Sequence, residues 1–313
     1  MSALPTPDAP FRLGTRRSPL AMAQAVETRR RLMAAHGWAE TAIELVPVIA
    51  SGDKIQDRAL ADIGGKALWT RKLDGWLAEG RIDAAVHSLK DVETVRPPGI
   101  ALVAVLPRAD KADVLLGARS VESLPQGAVV GTSAPRRAAQ LMHLRPDCKP
   151  VLFRGNVATR MAKLAAGEVD ATFLAAAGLE RLGEHGVGTR LDPEFWLPAP
   201  SQAAIGIECR ADDARARDWL AAIDHPASHA EVAAERALLA ALGGSCHSAV
   251  ACLSRWDGDR IHLAAAIYSP DGAERIAGEA WFAAWDSAGP ATLAADLLTR
   301  APASVRATFQ PPA

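Results

Sequence analysis

Short apolar runs alternate with amphipathic stretches through the first two-thirds of the chain. Phe11–Thr15 reads as a strand, and Ser18-Pro19 starts a helix, with Ser as N-cap and Pro in the first turn. Ile43–Val48 is a second strand. Leu68, Trp69, Leu73, Trp76 and Leu77 recur at helical spacing up to Gly80. Ile82–His87 and Ile100–Val105 are further strands. The pattern then repeats: strand Val129–Gly131, helix Ser133–His143, strand Val151–Phe153, a helix capped by Asn156 and running to Ala166, strand Ala171–Leu174, helix Ala176–Leu182. Such alternation predicts βαβ units with mainly parallel or mixed sheets, covered on both faces. Pro-rich joints stand at Pro97-Pro98 with Pro107, and between Pro193 and Pro200. Beyond them the character changes: a helix at Glu231–Leu242, three β-like runs (Ala249–Ser254, Arg260–Tyr268, Ala277–Ala284) and a closing helix near Ala291–Thr299 predict a small α+β domain.

Composition adds limits. A length of 313 residues suggests two or three domains. With 35 basic and 36 acidic residues the chain is no polycation built to coat nucleic acid, and only 5% of it is aromatic. No apolar run is long enough for a membrane helix, and Met1–Pro10 lacks the features of a signal peptide. Four cysteines are too few for a disulfide framework and too irregular for a zinc site, so a reducing cytoplasm is expected. Of the basic residues only 7 are Lys, and Asn156 is the sole Asn. In a chain with so Arg- and Ala-rich a coding bias, those residues are chosen less by composition than the others are.

Three loops share one design, in which a strand ends, basic residues follow and a helix begins: Thr15-Arg16-Arg17-Ser18, Gly131 to Arg137, and Arg154 to Arg160. Ligands of open α/β sheets bind at the carboxyl ends of strands, where helix N-termini offer free N–H groups. Arginine adds a planar fork that grips carboxylate or phosphate. Asp62-Ile63-Gly64-Gly65-Lys66 fails as a P-loop, because Leu60 stands at the first Gly position and Ala67 follows the Lys. Several carboxylates are therefore the expected ligand groups. His87-Ser88-Leu89-Lys90-Asp91 ends a buried strand with a polar cluster; a carboxylate there would face a developing cation, although a solvated Lys-Asp pair is the plainer reading. Cys246 follows Gly243-Gly244-Ser245, which would let a ligand approach the backbone, and His247 beside it would favour thiolate. A small apolar filler is the competing reading of Cys246. Cys148, Cys209 and Cys252 read as structural, and Pro226 between His225 and His229 argues against a metal pair.

In order and spacing these blocks resemble the porphobilinogen deaminase (hydroxymethylbilane synthase) family. The resemblance rests on Leu13 to Ala21, Ser51-Gly52-Asp53-Lys54, Gly64-Gly65-Lys66, Ala85 to Val92, Arg136-Arg137, Arg154-Gly155-Asn156-Val157, Ala177 to Leu182, and Ile207-Glu208-Cys209-Arg210. It implies three α/β domains: two periplasmic-binding-protein-like lobes with mixed sheets, and a small C-terminal α+β domain. The implied ranges are 10–105 with 203–222, 109–199, and 226–313. It also implies a transferase of tetrapyrrole biosynthesis. Four porphobilinogen molecules would condense head to tail, losing ammonia, onto one covalent dipyrromethane, and water would then release hydroxymethylbilane.

Under the same resemblance Asp91 is the catalytic carboxylate and Cys246 carries the dipyrromethane through a thioether. Arg16, Ser18, Lys90, Thr132, Ser133, Arg136, Arg137, Arg154, Arg160 and Arg181 bind cofactor and substrate side chains. No metal, nucleic acid or membrane is implied. A cytoplasmic monomer that hands its product to uroporphyrinogen-III synthase is expected. Each pyrrole ring carries two carboxylates, which suits the arginine loops. Lys72 and Pro135 depart from the family pattern, and Ser201-Gln202-Ala203 stands where Gly-Gln-Gly is usual. Two side chains in place of glycine predict ordinary negative φ at both sites. The alternative is a two-lobed binding or sensor protein for a carboxylated ligand, which would explain the lobes and the Arg loops but would not need Asp91 together with Cys246.

Overall fold

The computed structural model describes residues 7–48 and 70–309. The blocks Ser51–Lys54 and Asp62–Lys66, with Leu68 and Trp69, lie outside them. The described residues hold three sheets. The chain is α/β in its first two sheets and α+β in its third.

The first sheet has the order β2-β1-β3-β10-β4, made of Phe11–Arg16 (β1), Ile43–Val48 (β2), Ala84–Ser88 (β3), Ile100–Val105 (β4) and Ile205–Arg210 (β10). β1, β2 and β3 are parallel, and β10 runs antiparallel to both β3 and β4. Helix α1 (Pro19–His36) begins as the sequence predicts: Ser18 Oγ accepts from the Ala21 N–H, and Gly37 closes the helix in the left-handed conformation. One face of the sheet packs Phe11, Leu13, Leu32, Val86, Ile207 and Trp219 together. The other receives Leu73 and Leu77 of α2 (Arg71–Ala78) against Ile82 and Ala85. With both faces covered, the strands read as continuous apolar runs.

The second sheet has the order β7-β6-β8-β5-β9, from Asp113–Leu116 (β5), Val129–Gly131 (β6), Lys149–Val151 (β7), Ala171–Ala175 (β8) and Thr189–Arg190 (β9). It repeats the plan, with three parallel strands beside an antiparallel one. The expected strand at Val151–Phe153 lies two residues earlier, because Phe153 leaves the ladder to bury its ring. Helices α3 (Pro135–Leu144), α4 (Val157–Ala165) and α5 (Ala176–Arg181) follow β6, β7 and β8. The third sheet is the antiparallel meander β11 (Val250–Asp257), β12 (Arg260–Tyr268) and β13 (Arg275–Ala283). It packs one face on α7 (Pro226–Ala241) and α8 (Ala288–Arg300), and sets Ala251, Leu253, Ala266 and Tyr268 on the other against Ala139 and Leu197.

Packing groups the chain into two compact units. The first takes in the described residues up to Ala109 together with Ala204–His229; the second takes in Asp110–Ala203 and Ala230 onward. The first unit therefore contains one sheet and the second contains two.

The backbone corrects one expectation. Ser201 and Ala203 adopt φ of 61° and 69°, the left-handed conformation of the glycines they replace. The segment is held from all sides. The Ser201 N–H donates to Glu235 Oε2 at 2.6 Å, Gln202 Nε2 donates to Lys111 O and Asp113 Oδ1, and Arg181 Nη2 donates to Ala203 O. These bonds fix the turn against a left-handed penalty of about 1–2 kcal/mol per residue. Ala203→Gly should therefore leave unfolding free energy within about 1 kcal/mol of the parent, strain relief offsetting the added freedom of the unfolded chain. Ala203→Val, a β-branched residue in the same conformation, should lower it by more than about 2 kcal/mol. Urea denaturation of the two variants compares them directly.

Candidate functional site

In the first unit the carboxyl ends of the parallel neighbours β1 and β3 lie side by side. Arg16 ends β1 and Ser18 caps α1; Leu89–Asp91 forms a single 3-10 turn directly after β3. That turn lies against β10, where the Leu89 N–H donates to Ala204 O at 3.1 Å. Gly206 permits the approach, since a Cβ there would stand 2.3 Å from the Leu89 side chain. A small open cleft results, lined by Arg16, Ser18, Gln24, Thr70, His87, Ser88 and Asp91 among others. Gln24 is buried and hydrogen-bonded to Ser88 Oγ at 2.7 Å. Gln24 and Thr70 carry little signal in the sequence; for Gln24 it is a polar residue beside Ala21 and Ala25 on the buried face of α1.

Behind the cleft lies a charge network. Arg96 grips Glu208 through both arms of its guanidinium, Nε to Oε1 and Nη2 to Oε2, each at 2.8 Å, and also bonds Asp74 and Glu93. Glu208 Oε2 is 3.3 Å from His87 Nε2. Burial would push the Glu208 pKa up, but His87 and Arg96 outweigh it and hold the group at about 2.

The second unit repeats the design at the carboxyl ends of β6, β7 and β8. Thr132 and Ser133 follow β6; Ser133 Oγ donates to Phe153 O, and Thr132 Oγ1 accepts from the Ala134 N–H. Arg154 follows β7 and is buried. Asn156 caps α4 as expected, its Oδ1 accepting from the Thr159 N–H at 2.8 Å. Arg160 on α4 donates to Gly155 O, and Arg181 ends α5.

Arg136 and Arg137, expected at a ligand, have a protein partner as well. Both are buried and bound to Asp113, a carboxylate the sequence reading did not single out. Asp113 accepts from Arg136 Nη2, Arg137 Nε and Nη2, Trp196 Nε1 and Gln202 Nε2. Arg136 also donates to Leu197 O and Arg137 to Phe173 O. Burial pushes the Asp113 pKa up, but the two guanidiniums dominate and keep it far below the usual carboxylate range. Arg136 Nε remains a buried donor with no hydrogen-bond partner among the described residues.

Cys246 lies in the loop after α7 and is exposed, whereas Cys148, Cys209 and Cys252 are buried. Burial raises the thiol pKa of Cys209 to about 11. Gly243 takes φ of 67°, and the loop is pinned by the Ser245 N–H to Ser248 Oγ and the His247 N–H to Ser245 Oγ. Burial lowers the His247 pKa, which favours the neutral ring over a charge beside the thiol. His225 and His229 bond Ser228 and Asp224.

Comparison with known proteins decides what this arrangement serves. The family described as "Porphobilinogen deaminase, dipyromethane cofactor binding domain" matches residues 11–218, and "Porphobilinogen deaminase, C-terminal domain" matches 229–297.

The chain belongs to the porphobilinogen deaminase family.

The porphobilinogen deaminase of Sphingopyxis alaskensis is 58% identical over 99% of both chains, and that of Paracoccus denitrificans is 50% identical over 97% of this chain and 98% of its own. Among solved structures, the VFT2 domain of Bordetella pertussis BvgS is 15% identical, with a TM-score of 0.42 over 72% of this chain and 91% of that one, and nothing is drawn from so shallow a likeness. The activity is that of a transferase, hydroxymethylbilane synthase. It condenses four porphobilinogen molecules stepwise onto a covalent dipyrromethane, with loss of ammonia, and releases hydroxymethylbilane by hydrolysis for tetrapyrrole biosynthesis. The reading as a non-catalytic carboxylate receptor is set aside. The residues present suit the dipyrromethane: an exposed sulfur to hold it, and arginines at strand ends for its carboxylates. No helix among the described residues is long and apolar enough to cross a membrane.

Truncating one partner of a buried ion pair leaves the other charge uncompensated, at about 3–5 kcal/mol. Arg137→Met should therefore lower the unfolding free energy by about 3 kcal/mol or more. A loss below about 1 kcal/mol in urea denaturation would make Arg137 the ligand-facing residue first expected.

Proposed function

We propose that Cys246 is the thioether attachment point of the dipyrromethane and that Asp91 is the carboxylate facing the cation formed from each porphobilinogen. The observation that carries the reading is the exposure of Cys246 against the burial of the other three cysteines. A thioether to a bulky pyrrole pair needs an accessible sulfur, and only this one of the four is exposed.

When bound, the dipyrromethane supplies the nucleophilic pyrrole carbon from which the chain grows. This chain's residues do the rest. Arg16, Ser18 and Lys90 in one unit, and Thr132, Ser133, Arg154, Arg160 and Arg181 in the other, bind acetate and propionate groups; each charged hydrogen bond is worth about 1.5–3 kcal/mol when desolvated. Arg136 and Arg137 act through Asp113, fixing the start of α3 and the Thr132-Ser133 loop before it. Asp91 sits on a turn held by the Leu89 N–H bond to Ala204 O, so its charge is in place before the substrate amine leaves.

The three sheets support a three-domain division at 10–105 with 203–222, 109–199, and 226–313. A cytoplasmic monomer that passes its unstable linear product to uroporphyrinogen-III synthase completes the reading.

Asp91→Asn keeps the shape and removes the charge. It should keep the wild-type fold by circular dichroism and lower turnover at least about 10²-fold, as when one preorganised electrostatic contact is lost. Near-normal turnover of a homogeneous variant in a uroporphyrin fluorescence assay would overturn the role given to Asp91.

A further inference from the structure

Each condensation releases a proton that the residues named so far do not account for. The attacking pyrrole forms a bond from its α-carbon to the methylene carbon of the incoming unit, whose protonated amine leaves as ammonia with the C–N electron pair. The α C–H bond must then break, its electron pair restoring the aromatic ring, and some group must take the proton.

Seven polar side chains line the cleft: Arg16, Ser18, Gln24, Thr70, His87, Ser88 and Asp91. Of these types only His and Asp exchange protons in the ordinary physiological range. Asp91, on the reading above, has to stay ionised opposite the cation. We propose that His87 is the proton acceptor of chain growth, held for that task by Glu208 and Arg96. This rests on the role given to Asp91.

The geometry is that of an oriented imidazole. His87 pairs with Gly206 across the β3–β10 ladder and Glu208 with Ala85, which makes His87 and Glu208 diagonal neighbours on one face. Glu208 is almost wholly buried, and Arg96 fills both of its oxygens. His87 Nε2 stands 3.3 Å from Oε2; with the ring proton on that nitrogen, Nδ1 is the one left to accept a proton. A carboxylate behind a histidine fixes its tautomer and steadies the imidazolium once formed. Among the described residues, the charged groups on this side of the sheet are Glu208 from β10 with Arg96, Glu93 and Asp74 bound to one another behind it, and Asp91 and Arg16 in the cleft lining. Nδ1 takes the proton, and the imidazolium returns it to the departing ammonia as ammonium. No oxidant or further reactant is needed.

The test uses holoenzyme whose adduct is verified by intact mass. His87→Gln should lose about 10²-fold in turnover, with KM little changed. Porphobilinogen deuterated at its free α-carbon should then turn over more slowly than the protiated compound, because C–H cleavage has become limiting. Long-range nitrogen–proton spectra of the histidine rings should show neutral His87 protonated on Nε2 in the wild type, a preference lost in Glu208→Gln. If His87→Gln fails to load its cofactor, Arg96→Met reads the same isotope effect from behind Glu208. Normal turnover, or loss of turnover with no isotope effect in either variant, overturns the role of His87. If Asp91→Asn is inactive in the same assays, the function proposed above stands without it; if Asp91→Asn is also fully active, that reading falls as well.

Discussion

A lone carboxylate in the interior would pick up a proton or unfold its surroundings, and much of the second unit is arranged so that Asp113 does neither. Two guanidiniums, an indole N–H and a side-chain amide converge on it. Because those donors come from α3, the loop at Trp196 and the turn at Gln202, one buried charge ties three segments to strand β5. The strained left-handed turn at Ser201 and Ala203 persists because Gln202 between them is one of those donors. Glu208 does similar work in the first unit, where Arg96 fastens β10 to α2 and to the chain beyond Asp91. A buried ion pair contributes little net stability compared with apolar packing. What it contributes here is position, at the strand ends of each unit.

The parallel strands and their helices were legible because each has one strong period and a cap: Ser18 and Asn156 stand at the N-caps that the sequence predicts. The antiparallel members β5 and β10 carried no such signal. Both are short apolar runs flanked by charge, and their placement depends on partners far along the chain. The same distance explains the site residues that were missed. Asp113 meets Arg136 and Arg137 only after folding, so the sequence does not show that the Arg pair also neutralises a buried carboxylate. The φ of Ser201 and Ala203 departs from side-chain preference because the hydrogen bonds of that turn override it.

The chemistry divides between the units as the fold does. One presents Asp91 on a rigid turn beside Arg16 and His87; the other carries the arginine loops and the single exposed thiol among the four cysteines. Each sets these groups at the carboxyl ends of parallel strands. A ligand that gains two carboxylates with every ring calls for such arginines.

The attachment of that ligand is the claim on which the account turns. Mass spectrometry of the intact protein, expressed in a haem-producing host and followed by peptide mapping, tests it most directly. The account predicts a mass above that of the sequence by two condensed pyrrole units, mapped to Cys246 and absent from Cys246→Ser. An adduct on Cys148, Cys209 or Cys252, or an active protein at the plain sequence mass, would contradict it.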